Sequence, residues 1–567
     1  MVKEKTTRLD DLTPADLDID KTHPSATENE SKEKMLVVEE EEEEDWEGGD
    51  RGGGGGGGEE TGSSSSGGER GGGGIRGDAT QKKMLERNGK PNEETLPVQP
   101  VLLPQILATL VMAVIQVDIG ATFAFPGVTL PQLLHNDNNN NDNDTLDNHN
   151  ITSSSSAGDP HFTTYEAALF ASVVHMGAMT GSFLGGVLMV RFGQRVTLVF
   201  VLPLSFLIWI TLYLASTVWL ILTARFMQGV CLSLMSSSTT TYVAEYSHSN
   251  YRGRFMACLE LFRQVGSLIT FLLGCTTLTW RQISLIYGLS NTIVPFLALL
   301  YLPNSPRWLA MRGRKQEAHK SLVFFRGRHF DSARELTTIL NQMQNSKHMK
   351  VTQQLRLLRD PSIFRYFIIM LVVFSLYHFN GSSAISAYIV IIMNDAKMEM
   401  SSYLAAVVMA VTKVVGTLFF TLIVDRINRK TLYITTSIIS AASLVLLGGY
   451  YFDQTHGGEY LQGQDWLPVV CLAVYSFFIM TPVLNLLRSE LFPTSVRSTV
   501  VPLLYTTFFT GAFVTVQTYP YIDEGLGSYG SFWLYGGCNL ILAIIVITTL
   551  PETRGKTLEQ ITEMQRR

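Results

Sequence analysis

From residue 101 onward the chain alternates between long apolar stretches and short polar connections. The apolar stretches fall near 101–125, 164–190, 196–216, 218–241, 255–277 and 282–302. A second set falls near 364–392, 401–424, 430–451, 467–487, 498–519 and 530–550. Each is long enough to cross a bilayer, which takes about 20 residues of α-helix. In lipid only helices or closed barrels satisfy the backbone. The pattern therefore predicts an all-α membrane protein with twelve spans in two six-helix halves. Between the sets, Arg314–Lys320 and Ser332–Asn345 are rich in helix formers and predict short amphipathic helices. The expected layout is a tail at 1–98, a first half at 99–302, a helical loop at 303–362, a second half at 363–552 and a short tail at 553–567.

The two halves share landmarks. Arg191 in Val190-Arg191-Phe-Gly193 has a counterpart in Arg426 of Asp425-Arg426-Ile-Asn428-Arg429. Glu245 precedes Arg252 by the same step that separates Glu490 from Arg497, and the Pro303-Asn-Ser-Pro-Arg307 and Pro551-Glu552-Thr-Arg554 segments close the two apolar sets. Each landmark recurs about 240 residues later and in the same order, which marks a duplicated membrane unit. Such units build secondary transporters, with the solute held between the halves.

Composition adds orientation. The 567 residues carry a formal net charge of −6, but the acidic excess sits in the tail and in alternate loops. The tail holds the Glu39–Glu44 run, the Gly52–Gly58 run and Ser63–Ser66. This composition buries too little apolar surface to fold, so the tail is expected to be disordered and its partners stay unassigned. Lys and Arg cluster at the motif loops, so the positive-inside rule puts both termini and the 303–362 loop in the cytoplasm, with the plasma membrane as the expected compartment. The loop at 132–163 then lies outside, where the Asn143 and Asn150 sequons are glycosylation candidates. The five cysteines, Cys231, Cys258, Cys275, Cys471 and Cys538, all lie in spans and read as packing residues. No metal spacing, catalytic triad or phosphate loop appears, so neither an enzyme, a cofactor, a metal nor a nucleic-acid partner is expected.

The motif set in order resembles the sugar porter family of the major facilitator superfamily, and within it the insect facilitated trehalose transporter-like group. The residues that carry the resemblance are Arg225 with Gly229, Tyr242-Val-Ala-Glu245, Arg252-Gly253, Pro303-Asn-Ser-Pro-Arg307-Trp308, Asp425-Arg426, Glu490-Leu-Phe-Pro493 with Arg497, and Pro551-Glu552-Thr-Arg554-Gly555. It spans roughly residues 100–565 and implies the twelve-helix fold and alternating access. Motif residues Arg191, Glu245, Arg252 and Arg307 in the first half, and Asp425, Arg426, Arg429, Glu490, Arg497 and Glu552 in the second, are expected at the cytoplasmic seam. There they can latch a gate through ion pairs and helix-end contacts. The competing reading makes them positive-inside anchors.

The resemblance also implies a pocket. Gln264, Tyr377, His378, Ser383, Tyr388 and Asn485 occupy its positions. Tyr377 and His378 stand where the family places two glutamines, Ser383 stands for an asparagine, and Asn485 stands for a tryptophan. The amide and ring-stacking groups that grip a sugar are thereby removed. On a continuous helix, positions 377, 381, 384 and 388 would share one face. Arg225, near the outer end of the fourth span, reads as a structural interhelical partner. Two further charges, Asp118 and Lys413, lie inside spans, which costs about 2.5–3.5 kcal/mol apiece and marks functional candidates. An ion pair between them across the halves would offset that cost.

The leading expectation is a membrane transporter of a small polar solute, a trehalose or hexose sugar, in contact with solute and membrane lipid. A non-sugar solute such as an organic anion, with proton coupling, and a non-transporting nutrient sensor on the same fold are the alternatives.

Overall fold

The computed structural model describes residues 101–134, 161–345 and 357–552 apart from 358, 397, 399, 458–463 and 493, together with Arg554. The disordered-tail expectation, the Asn143 and Asn150 sequons and nearly all of the C-terminal tail fall outside these residues. Among the described residues the secondary structure is entirely helical.

The first half contains α1 (Leu103–Leu134), α2 (Thr164–Phe192), α3 (Gln194–Leu214), α4 (Val218–Tyr246), α5 (Arg252–Gly274) and α6 (Trp280–Tyr301), the last carrying a π-helical stretch at Leu289–Ile293. Three short helices follow: α7 (Pro306–Met311), α8 (Lys315–Arg326) and α9 (Ser332–Asn345). The second half contains α10 (Pro361–Tyr377), α11 (Ser382–Asp395), α12 (Ser402–Ile423), α13 (Arg429–Thr455), α14 (Leu467–Phe478), α15 (Val483–Leu491) and α16 (Thr494–Thr549). Helices α10 and α11 form one crossing and α14 and α15 another. Helix α16 bends back at Gly527, where φ is 73°, and supplies two crossings. With these, the second half matches the six crossings of the first, and the fold is the twelve-helix major facilitator bundle. The basic motifs all fall at one end of the bundle, called the motif end below.

Two of the expected continuous spans are broken. The seventh changes at His378–Asn380 to a 3-10 turn, and Gly381 takes the left-handed conformation at φ 87°. The cause is local. Asn-Gly is a turn dipeptide; Gly carries no Cβ penalty at positive φ, and the Asn380 side chain accepts the Ser382 N–H at 2.9 Å. The freed Asn380 carbonyl is repaired by the Tyr475 hydroxyl at 2.9 Å. The face-sharing expected of 377, 381, 384 and 388 therefore fails, because the helical rhythm restarts at Ser382. The tenth span is interrupted between Phe478 and Val483, around Pro482, which lacks a donor for a continuing helix.

The helices approach most closely where glycine removes the side chain. A Cβ on Gly120 of α1 would lie 1.8 Å from the Arg263 carbonyl oxygen of α5, and one on Gly266 of α5 would lie 2.2 Å from the Val117 carbonyl oxygen of α1. This reciprocal contact, of the small-residue kind that brings membrane helices together, fixes α5 against α1.

The halves meet through α1 with α11, α2 with α16, and α5 with α12. The bonds joining them lie near or beyond mid-depth, away from the motif end. Ser172 donates to Gln517 Oε1 at 2.6 Å, Thr510 donates to Met179 Sδ at 3.4 Å, and Gln132 bonds Tyr403. At the motif end, Arg191, Asp425 and Arg426 are exposed.

A test of the α1–α5 contact follows. Gly266→Ala forces backbone apart and is expected to destabilise the purified protein by about 1–3 kcal/mol or more. Gly537, with no atom within 4 Å of an added Cβ, is expected to accept Ala within about 0.5 kcal/mol. Thermal unfolding in detergent compares the two.

Candidate solute site and the charges around it

The charges inside the spans have found local partners. Asp118 is fully buried in α1, where it accepts the Trp209 indole N–H at 2.9 Å and the Ser205 hydroxyl at 3.3 Å, both from α3. Lys413, at the middle of α12, is buried and donates to Ser386 Oγ of α11 at 2.5 Å. Ser386 in turn donates to the Ser382 carbonyl at 2.8 Å. The two charges expected to pair across the halves are thus each held within their own half. Arg225 is also fully buried. It donates to Gln228 at 2.6 Å and to the Phe170 and Thr122 carbonyls at 3.4 and 3.3 Å, and lies over the Phe170 and Phe125 rings. These contacts fit the structural role read for it.

A pair that sequence reasoning passed over lies on α5. Glu260 and Arg263, one turn apart, meet at 3.0 Å with their side chains 38% and 27% exposed. Gln264 donates to Glu260 Oε1 at 3.1 Å. Arg263 Nε donates to Gln116 Oε1 of α1 at 3.2 Å, and Gln116 Nε2 donates to Thr239 of α4 at 2.7 Å. Glu260 lies about 12 Å along the helix from its motif end and is close enough to the Tyr377 hydroxyl of the second half to act on it electrostatically. The rule that singled out Asp118 and Lys413, a charge inside an apolar span, applies equally to these two residues.

On the facing side, the Tyr377 ring stacks on Phe508 at 5.8 Å, and His378 packs edge-on against the same ring at 4.2 Å. His378 Nδ1 bonds Ser383 Oγ at 2.7 Å. Tyr388 is buried away from them, stacked on Tyr519 at 4.8 Å with its hydroxyl donating to the Val516 carbonyl at 3.4 Å. The structure therefore brings Tyr377, His378 and Ser383 together and keeps Gln264 bonded to Glu260 on α5, while Tyr388 belongs to the packing between α11 and α16. The side chains of Asn485, Glu490 and Arg497 are not among those described.

The motif residues mostly close helix ends within a half. Glu245 accepts Gln194 Nε2 at 2.9 Å and the Ser305 hydroxyl, with Arg307 acting on it electrostatically. Arg195 caps α6 through the Leu299 and Leu300 carbonyls at 3.1 and 2.8 Å, and Arg312 reaches the Val190 and Arg191 carbonyls at 3.1 and 2.7 Å. Cations at helix C-termini complement the macrodipole. Arg252 reaches the Ser247 carbonyl at 3.5 Å, and the Arg191 guanidinium lies over the Phe192 ring. In the second half Arg429 likewise donates to the Val424 carbonyl at the end of α12, and an acid joins it. The Glu552 carboxylate accepts the N–H groups of Arg429 and Lys430, both at 3.0 Å, at the start of α13, while Arg429 meets Asp425 at 3.3 Å. An acid there complements the positive helix end.

With this geometry in hand, the relatives become informative. The family model described as "Sugar (and other) transporter" matches residues 120–565. The chain belongs to that family. A facilitated trehalose transporter Tret1 of Drosophila pseudoobscura pseudoobscura is 26% identical over 485 residues, which cover 84% of this chain and 53% of the relative. Tret1 of Culex quinquefasciatus is 26% identical over 477 residues, covering 83% of this chain and 87% of the relative. The chain spans about half the length of the curated Drosophila relatives it matches. Among solved structures, the inward open xylose transporter XylE of E. coli superposes with a TM-score of 0.64 at 18% identity, covering 81% of this chain and 99% of that one. The partially occluded inward open form gives 0.63. These confirm the major facilitator fold. The family's members are transporters rather than enzymes.

The partners found for Asp118 set a double-mutant expectation. Asp118→Asn and Trp209→Phe are expected to couple by about 0.5–3 kcal/mol, whereas Asp118→Asn and Lys413→Met add within about 0.5 kcal/mol. Thermal unfolding of the singles and doubles in detergent provides both numbers.

Proposed function

We propose that the chain moves a small, neutral, hydroxyl-rich solute, a sugar of the trehalose or hexose class, across a membrane by alternating access. Membership in the transporter family and the Tret1 relatives support the solute class. The observation that carries the mechanism is the asymmetry of the bundle. The halves are joined near and beyond mid-depth by Ser172–Gln517 and Gln132–Tyr403, while Arg191, Asp425 and Arg426 stand exposed at the other end. Between the ends, Glu260 of the first half lies within electrostatic reach of Tyr377 of the second. On this reading the bundle is open at the motif end. Closing it brings the two sets of capped helix ends together, and parting the far-end contacts releases the solute on the other side.

The positive-inside pattern supports a cytoplasmic motif end, cytoplasmic termini and a plasma-membrane location, with Asn143 and Asn150 as glycosylation sites on the outer loop. The division at 98, 302, 362 and 552 is the corresponding domain reading. The motif residues Arg191, Glu245, Arg252, Arg307, Asp425, Arg426, Arg429, Glu490, Arg497 and Glu552 act as the gate set. Asp118 and Lys413 are read as charges whose fixed partners stabilise each half.

One observation favours a second reading, a charged solute. Lys413 is a buried cation whose side chain bonds a serine hydroxyl rather than a carboxylate. Counterflow in proteoliposomes separates the two. Preloaded trehalose or glucose is expected to accelerate uptake of the labelled sugar, and an organic anion panel is expected to leave it unchanged. Acceleration by the anions alone refutes the sugar reading, and no saturable uptake of any solute refutes transport.

A further inference from the structure

We propose that the second half binds an internal water behind the break in its tenth span, where it carries hydrogen bonds that the broken helix cannot make. The site is a small cavity bounded by the end of α10, by α13, by the α14–α15 break and by the returning arm of α16. Tyr433, Ser440, Phe478, Ile479, Thr481 and Asn539 are among the residues that line it. Three polar groups border this space without a partner. Ser440 is fully buried and Asn539 is 1% exposed, and Ser440 Oγ, Asn539 Nδ2 and Thr481 Oγ1 meet no hydrogen-bonding group of the protein. The break adds a fourth. Pro482 has no N–H, so it cannot close the helical bond to the Phe478 carbonyl. At the seventh-span break a protein hydroxyl, that of Tyr475, takes the freed carbonyl. At the tenth-span break a polar cavity stands in that place.

The chemistry selects the occupant. Asn539 Nδ2 offers hydrogens, the Phe478 carbonyl accepts them, and the two hydroxyls do either. A water both donates and accepts, so it can serve all of them. A metal cation satisfies only the acceptors, and no carboxylate lines the cavity to balance it. The space is of the order of one water molecule, far too small for a sugar. A dry cavity is the competing account. Empty protein cavities are apolar, however, and polar ones that offer about three partners hold water. A water-mediated bond is nearly as good as a direct one. Unlike a fixed side chain, a water can also shift as α14 and α15 tilt about the break.

The test is hydroxyl-radical footprinting by X-ray radiolysis of the full chain purified in detergent. Radicals formed from a bound water oxidise the side chains beside it even where bulk solvent does not reach. Tyr433 and Ile479, 3% and 6% exposed, are expected to be oxidised, whereas Phe170 and Phe271, buried away from the cavity, are not. Ser440→Ala with Asn539→Leu removes two of the partners with little change of size. In this double variant the oxidation of Tyr433 and Ile479 is expected to fall to the level of Phe170. Ser440→Ala alone takes its place should the double variant fail to elute as a single species. Unoxidised Tyr433 and Ile479 in the wild type mean a dry cavity and overturn the site. Oxidation that persists in the variant comes from bulk solvent and overturns it too. Oxidation seen in choline chloride and suppressed by sodium chloride makes the occupant a cation, which also contradicts the proposal.

Discussion

A charge inside a bilayer must find its partner there, because water cannot reach it and an isolated ion costs about 2.5–3.5 kcal/mol even by the gentlest scale. This constraint organises the protein. Asp118 is held by an indole and a hydroxyl of α3, Lys413 by a serine of α11, and Arg225 by carbonyls, an amide and two aromatic faces. Each solution is internal to one half. None of these three charges is therefore shared between the halves. Glu260 and Arg263 are the exception in exposure: they satisfy one another and stay part-exposed.

The same economy governs the ends of the helices. Every α-helix leaves carbonyls and N–H groups unpaired at its termini, and the duplicated motifs sit where these groups gather. In the first half, cations close C-termini, Arg195 on α6 and Arg312 on α2. In the second half, the Glu552 anion closes the N-terminus of α13. Cations close C-termini in both halves, since Arg429 likewise donates to the Val424 carbonyl at the end of α12.

Much of the fold was legible in the sequence because span length and backbone satisfaction leave few choices. The first six helices and α12 fall close to the apolar stretches that mark them. Two interruptions were not read, although each carried a local signal: Asn380-Gly381 in the seventh span and Pro482 in the tenth. Missing the first of these made 377 and 388 seem to share a face; in the structure Tyr377 stacks on Phe508 and Tyr388 on Tyr519. The site was less legible. Glu260 and Arg263 carry charge inside an apolar span, a signal as visible in the sequence as that of Asp118 and Lys413. The proposed Asp118–Lys413 pair failed for a different reason. Hydroxyl and indole partners at a distance in sequence, Ser205 and Trp209 on α3 and Ser386 on α11, leave no periodic trace that points to them.

The central claim, on the transport reading, is that two internally satisfied halves rock against one another, closing at the motif end as the far-end contacts part. It is tested most directly by measuring distances between spin labels, one pair at the exposed motif-end positions 191 and 426 and one pair near the far ends of α2 and α16. The account predicts that saturating solute narrows the first distance distribution toward shorter values and moves the second outward. Distributions at both ends that are unchanged by any bound solute, or that shift in the same direction, would contradict it.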